Sequence, residues 1–304
     1  MARYATVPLN KEARSEVLGA WLFRSIGRRS PSVAVQVGDL WYFVPTNDML
    51  GKQTFLTGGF EHEVMELAMD VVEDRTGQPP LAGKTFIDIG ANIGTSCIPA
   101  IRVFGASDAI AFEPASQNLR LLRANRAANE LDDRIRIIPL ALSDRSGSHV
   151  LETGDENCGD YRIRVTDEHG SIGEHKWATE EVKTVTFDDI ARELRINLDD
   201  VGMVWMDTQG HEAHILAGAS SLTDSHVPIV TEYWPYGLRR AGALEQFHDI
   251  VEKHYGTVID LRGAMVDGNR QDLTPIDIGT VRARYHPDRY WQYTDLVLVK
   301  QPTA

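Results

Sequence analysis

From residue 85 onward, short apolar runs alternate with amphipathic stretches of helical period, and nothing else in the chain constrains its fold as much. The apolar runs are 85-TFIDI-89, 109-AIAFE-113, 134-RIRIIPLAL-142, 201-VGMVWMD-207 and 227-VPIVTE-232. Between them lie 95-TSCIPAIRVFG-105, 116-SQNLRLLRANRAANE-130 and 210-GHEAHILAGAS-220. Strands that are apolar along their whole length are buried on both faces, so helices must cover both sides of a parallel sheet. Right-handed crossovers then make the sheet doubly wound. A last run, 293-YTDLVLVK-300, is placed to close it. The expectation is an α/β fold with a doubly wound sheet.

The upstream residues follow a different pattern. In 32-SVAVQVGDLWYFV-44 two short strands flank Gly38-Asp39, a pair suited to a hairpin turn. In 60-FEHEVMELAMDVVED-74 the residues Val64, Met65, Leu67, Ala68, Val71 and Val72 form one helical stripe, and 77-GQPPLAGKT-85 marks a boundary. Residues 1–80 are therefore expected to form a hairpin-plus-helix cap or lid, and residues 81–304 the main α/β domain. Between about 148 and 183 the alternation lapses into Gly, Glu, Asp and Thr around strand-like pieces such as 160-DYRIRV-165. A variable insert is expected there, and a stretch of that length usually carries function or disorder.

Charge narrows the partners. With 31 basic against 44 acidic residues, the net charge of -13 argues against nucleic acid or an anionic membrane as the main partner. Two cysteines, Cys97 and Cys158, imply neither a disulfide framework nor a cysteine-based metal site. The opening stretch, 1-MARYATVPLNKEARSEV-17, lacks the apolar core of a signal peptide, so a cytoplasmic location is expected. The run 17-VLGAWLF-23 is too short to span a bilayer and is suited to pack against a second copy, which makes a homodimer one expected assembly.

Ligands of a doubly wound sheet bind beyond the carboxyl ends of its strands, where the stretch from Asp88 to Gly94 lies. Gly90 permits a tight turn, and Gly94 lets the next helix approach sheet and ligand closely. A dinucleotide would need a glycine where Asn92 stands, to admit its pyrophosphate. Asp88 would repel a pyrophosphate but suits an ammonium group. Glu113, nineteen residues after Gly94, is placed to accept hydrogen bonds from both hydroxyls of a ribose. A ligand with an amino-acid end and a ribose but no pyrophosphate is S-adenosylmethionine, and a nicotinamide cofactor stays as the alternative.

The ordered series 58-GGFEHE-63, 87-IDIGANIGTS-96, 112-FEPASQNLRLLRAN-125, 140-LALSDRSG-147, 184-TVTFDDI-190, 206-MDTQGHEAHILAGA-219 and 230-VTE-232 resembles the FkbM-type family of S-adenosylmethionine-dependent methyltransferases. The resemblance implies a seven-stranded, Rossmann-like methyltransferase sheet. It also implies methyl transfer to a hydroxyl of a small natural product or sugar-containing metabolite, with S-adenosylhomocysteine as product. Carried onto this chain, Asp88, Gly90, Ala91, Asn92 and Gly94 would cradle the methionine part, with Thr95 and Ser96 beside them. Glu113 would hold the ribose together with Pro114 and Asn118, while Leu142 and Ser143 would flank the adenine. Asp207 and Gln209 would lie near the methionine part and the acceptor. Phe60 and Glu61 head the helix before the cofactor motif, which places them as a lid over the methionine end, with a helix-start carboxylate favoured by the dipole alone as the plainer reading of Glu61. The family's Lys-Ile-Asp-x-Glu-Gly reads here Trp205-Met206-Asp207-Thr208-Gln209-Gly210, without the lysine and with Gln209 in place of the second acid.

An alcohol acceptor must lose a proton, so a base is useful. The candidates are Asp207, Glu232, His211 and His286, with a surface position on the first helical turn as the plainer reading of His211. No metal site is expected, because His211 and His214 are three residues apart rather than the four of the zinc-protease helix; a divalent ion on Asp207 and other carboxylates is the lesser alternative. Tyr233, Trp234, Tyr236, Tyr285, Tyr290, Trp291 and Tyr293 are expected either to wall an acceptor or to form a second core. Methyl transfer to nitrogen or carboxylate, nicotinamide-dependent oxidoreduction, and a catalytically silent interaction protein are the competing functions.

Overall fold

Every residue of the strands Val201–Met206, Ile229–Tyr233 and Thr294–Leu298 is buried, as their predominantly apolar sequences lead one to expect. Each large aliphatic or phenyl side chain so buried stabilises the fold by ~1.5–3 kcal/mol. The computed structural model describes residues 11–58, 62–154, 157–166, 170–265 and 273–300. They belong to two units, Met1–Phe60 and Glu61–Ala304.

The larger unit is built on a sheet of eight strands. In order across the sheet they are Ile276–Asp277, Thr257–Asp260, Thr294–Leu298, Ile229–Tyr233, Val201–Met206, Thr85–Ile89, Asp108–Phe112 and Ile135–Ile138. The five from Ile229–Tyr233 to Ile135–Ile138 are parallel, and Thr294–Leu298 runs antiparallel to both of its neighbours. The chain fills one side outward from Thr85–Ile89 before it crosses to the other, so the switch point lies between Thr85–Ile89 and Val201–Met206. Such a crevice is where open α/β sheets bind ligands.

The sheet differs from the seven strands expected by one two-residue edge strand, Ile276–Asp277, paired with Thr257–Asp260. Thr257–Asp260 itself escapes a reading of apolar periodicity, being only four residues long. The single run 134–142 is divided: Ile135–Ile138 joins the large sheet, and Ala141–Leu142 joins a smaller one. Pro139 stands at the division, where it cannot donate a ladder hydrogen bond. The smaller sheet, in the order Ala141–Leu142, Ala178–Val185, Gly147–Thr153 and Arg162–Ile163, occupies the expected insert. There Gly147–Thr153 pairs antiparallel with Ala178–Thr184 along its whole length, so the lapse in alternation hides an ordered ribbon.

In the larger unit the helix His62–Thr76 buries Val64, Met65, Leu67, Ala68, Val71 and Val72 as its stripe predicts, with Met69 added. The smaller unit contains the helix Lys11–Gly27, the hairpin Ser32–Val37 and Leu40–Pro45, and the helix Met49–Thr57. Gly38 takes a φ of +58° at the hairpin turn, and the Asp48 side chain caps the last helix by accepting from the Gly51 amide. Among the described residues no helix is long and apolar enough to cross a membrane. Cys97 and Cys158 are both buried.

Candidate functional site

Asp88, the penultimate residue of the strand Thr85–Ile89, is wholly buried and lies two residues before Gly90, where a turn opens. Gly90 has a φ of +89°, and a Cβ on it would lie 1.9 Å from the carbonyl oxygen of Asp207. Only glycine lets these two strand ends meet so closely. The amides of Gly90 and Ala91 both donate to the Phe112 carbonyl, which ties the turn to the next strand. Asn92 follows at φ +48°, and its amide donates to Glu113 Oε2 at 2.8 Å. Gly94, at φ +95°, leaves no room for a Cβ beside Ile98 and Leu122.

Asp88 does two things with its two oxygens. Oδ2 accepts from the Ser96 hydroxyl at 2.6 Å and from the Cys97 amide at 3.1 Å, bracing the start of the helix Cys97–Arg102. Oδ1 is buried with no donor among the described residues. Burial pushes the Asp88 pKa up to about 6, against the lowering effect of those hydrogen bonds. Thr95 and Ser96 are half-buried in the same turn.

Glu113 closes the second strand's end and is buried. Its Oε1 accepts from the Ala115 amide at 2.8 Å, as Oε2 does from Asn92. Burial pushes its pKa up to about 8; these backbone hydrogen bonds oppose the shift and the nearby Asp88 charge adds to it. Pro114 is half-buried beside it. Asn118 donates to the Cys158 carbonyl at 3.2 Å, while its own Oδ1 is buried with no partner among the described residues. Cys158 Sγ stands 3.5 Å from Asn92 Oδ1, so the insert touches both the turn and the helix Ser116–Ala128 that carries Asn118. Sequence reading did not foresee this contact.

The fourth strand leads into Asp207, half-buried, then Gln209 at φ +56° and Gly210 at φ +101°. Gln209 Nε2 donates to Asp207 Oδ1 at 2.8 Å and to Glu232 Oε2 at 3.0 Å. The replacement of an acid by an amide thus joins the carboxylates at the ends of two adjacent strands. Glu212 Oε1 accepts from the Thr208 amide and hydroxyl and from the Gly210 amide, which fixes the turn. Carboxylate oxygens of Asp207, Glu212 and Glu232 approach within 4.8 Å of one another, a grouping able to hold a cation. The Gln209 amide, bonded to two of the three, already supplies donors there.

His211 is not on the surface, contrary to the plainer expectation; it is only 4 % exposed. Its Nε2 shares a hydrogen bond with Ser143 Oγ at 2.9 Å, and its ring lies 4.7 Å from that of His214. Burial, with smaller contributions from His214 and His149, lowers its pKa to about 3, so the ring is neutral. Leu142 is buried beside the Ser143 residue that His211 engages. His286 is exposed and bonded to the Asp288 amide. Glu61, with Phe60, lies outside the described residues.

The aromatic residues divide. Tyr233 is core, its hydroxyl 2.9 Å from His248 Nε2, and Tyr285 bonds Asp260. Trp234 and Tyr236 instead meet the insert: Tyr236 donates to Glu174 at 2.7 Å, and Trp234 stacks on the Arg162 guanidinium. Tyr290, Trp291 and Tyr293 are exposed.

The acceptor-rich crevice suits a ligand that brings donors. Asp88 Oδ1 and Asn118 Oδ1 are orphaned and buried, and the Glu113 carboxylate lies between the elements that carry them. An ammonium and ribose hydroxyls supply what those oxygens lack. A pyrophosphate does not, and the Asn92 amide that would face it is committed to Glu113.

A family model described as the methyltransferase FkbM domain matches residues 88–257. Among curated proteins, the 2-O-methyltransferase NoeI of Sinorhizobium fredii is 30% identical over 156 residues, 48% of this chain and 62% of that protein's length. The chain thus spans less than two thirds of that relative. Among solved structures, the methyltransferase FkbM of Methylobacillus flagellatus KT aligns at a TM-score of 0.42 and 15% identity, covering 94% of this chain and 60% of the other. The TYW2 protein of P. horikoshii in complex with MeSAdo aligns at a TM-score of 0.40 and 14% identity, covering 88% and 70%.

Proposed function

This chain belongs to the FkbM family of S-adenosylmethionine-dependent methyltransferases, and on that premise we propose that it methylates a hydroxyl oxygen of a small natural product or sugar-containing metabolite. The observation that carries the reading is the Asp207–Gln209–Glu232 chain: two carboxylates, joined by one amide, at the switch point beside the Gly90 turn. The relative NoeI, described as a 2-O-methyltransferase, supports oxygen as the acceptor atom.

In this reading Asp88, through its unpartnered oxygen, and the backbone from Gly90 to Gly94 hold the amino-acid end of the cofactor. Glu113 and Asn118 hold its ribose, and Leu142 and Ser143 lie toward the base. Bound there, S-adenosylmethionine supplies an electrophilic methyl group on a sulfonium. The chain's part is to align the acceptor oxygen, keep water out and take the proton. Asp207 and Glu232 are the groups for that last task. Gln209 fixes the orientation of both by donating to each. His211 is a poor base at neutral pH, because burial holds its pKa near 3, and it acts through Ser143 as a positioning group.

Calorimetric titration with S-adenosylhomocysteine, with NAD⁺ in parallel, tests the premise, and product analysis after incubation with hydroxylated acceptors tests the atom. Micromolar binding of S-adenosylhomocysteine alone, with an O-methyl ether formed, is expected. Binding of NAD⁺ alone, or an N-methyl product, would overturn the reading.

A further inference from the structure

Arg162, in the insert, is a buried guanidinium with two cation–π contacts: its Cζ is 4.5 Å from the Trp177 ring and 4.8 Å from the Trp234 ring. None of its three nitrogens has an acceptor among the described residues. Cation–π contacts hold a guanidinium in place but leave its in-plane N–H groups unmet. The neighbouring acids are engaged elsewhere. Glu152 Oε1 accepts from Arg164 at 2.9 Å and lies 3.6 Å from Arg240, while Glu174 accepts from Tyr236 and from the Ile172 amide and lies 3.5 Å from Arg240. Glu152 Oε2 is nevertheless buried and unpartnered. Arg162 and Glu152 line a cavity of about 10 Å³ together with Gln209, Gly210 and Gly237.

The two residues that carry these orphaned donors and this orphaned acceptor thus line one small space, which has room for about one oxygen atom. The charges nearby are already balanced: Arg162, Arg164 and Arg240 stand against Glu152, Glu174 and Asp160. The hydrogen bonds are what is missing. An anion would satisfy Arg162 but face Glu152, and a cation the reverse. A neutral hydroxyl satisfies both, accepting from the guanidinium and donating to the carboxylate. Gln209 lines this cavity and also bonds Asp207 and Glu232, so the space adjoins the proposed point of methyl transfer.

We propose that Arg162 and Glu152 form a subsite that anchors a second hydroxyl of the acceptor, which makes the acceptor a polyol such as a sugar ring rather than a monohydroxylated compound. This rests on the methyl-transfer reading above. Trp177 and Trp234 keep the guanidinium oriented toward that hydroxyl, and Glu152 selects a group that can donate.

The test uses the whole protein saturated with S-adenosylhomocysteine, titrated with the methyl glycosides of glucose, mannose and galactose and, separately, with cyclohexanol. Tryptophan fluorescence follows binding, because two indoles flank the subsite. A saturable change with at least one glycoside and none with cyclohexanol is expected. That glycoside should bind about 10-fold or more weakly to Glu152→Gln and to Arg162→Met, with S-adenosylhomocysteine affinity unchanged in both. Turnover on it should show a raised KM with kcat little altered. If Arg162→Met does not fold, Glu152→Gln, which keeps an acceptor for Arg164, carries the comparison. No saturable change with any glycoside, an equal response to cyclohexanol, or unaltered affinity in folded Glu152→Gln overturns the proposal. Glycoside binding that depends on Arg162 in a protein that does not bind S-adenosylhomocysteine supports the subsite and overturns methyl transfer instead.

Discussion

Glu113 carries two loads with one carboxylate. It accepts the amides of Asn92 and Ala115, and in the proposed function it also accepts ribose hydroxyls on its remaining lone pairs. Glu113→Gln keeps one acceptor oxygen and sets an NH2 donor where the other accepts a backbone amide, so S-adenosylhomocysteine should bind about 10- to 100-fold more weakly by calorimetry, the equivalent of ~1.5–3 kcal/mol. The same residue gives stability a pH dependence. Burial raises its pKa to about 8 and that of Asp88 to about 6, so the folded state binds these protons more tightly than the unfolded chain does. Their contribution is complete below the ordinary carboxylate range and is lost as pH rises through those values. The melting temperature should accordingly fall between pH 5 and about 8.5, and the upper part of that fall should flatten in Glu113→Gln. Asp207→Asn preserves an oxygen for Gln209 but removes the proton acceptor. Turnover should drop about 100-fold or more in stopped-time assays, with S-adenosylhomocysteine affinity within a few-fold of wild type.

At the scale of elements, the site depends on how closely two strand ends approach. Gly90→Ala places a Cβ 1.9 Å from the Asp207 carbonyl at a φ of +89°. Gly105→Ala meets the same backbone strain, at φ +82°, with nothing within 4 Å. Both variants lose ~1–3 kcal/mol to the left-handed conformation. Gly90→Ala should lose more, and by scanning calorimetry it should melt at least about 3 °C below Gly105→Ala. A difference of zero would mean that the turn relaxes away from Asp207 at no cost. The main strands were legible because each is a contiguous apolar run and burial on both faces is written along it. The insert was not, since its long pairing from Gly147 to Thr153 is antiparallel and partly exposed, so its residues need not be uniformly apolar. Thr257–Asp260 was missed because four residues give too short a period to detect.

For the whole molecule, a ligand that binds only the folded state stabilises it by mass action. At 100 times its dissociation constant, S-adenosylhomocysteine should add ~2.7 kcal/mol, which raises the melting temperature by about 4 °C in a chain of this size. An equal rise with NAD⁺ would contradict the site as described. The net charge of -13 turns the surface as a whole away from polyanions, while the basic residues Arg162, Arg164 and Arg240 are gathered inward around two glutamates. The sequence by itself determined the parallel sheet, the glycine turn after Asp88 and the acid at Glu113, because each is encoded by neighbours along the chain. Only the tertiary structure decided that Gln209 reaches Glu232, 23 residues away, that His211 is buried against Ser143, and that Arg162 meets two indoles. A side chain's partners and desolvation depend on which distant segments pack around it, and local spacing holds no record of them.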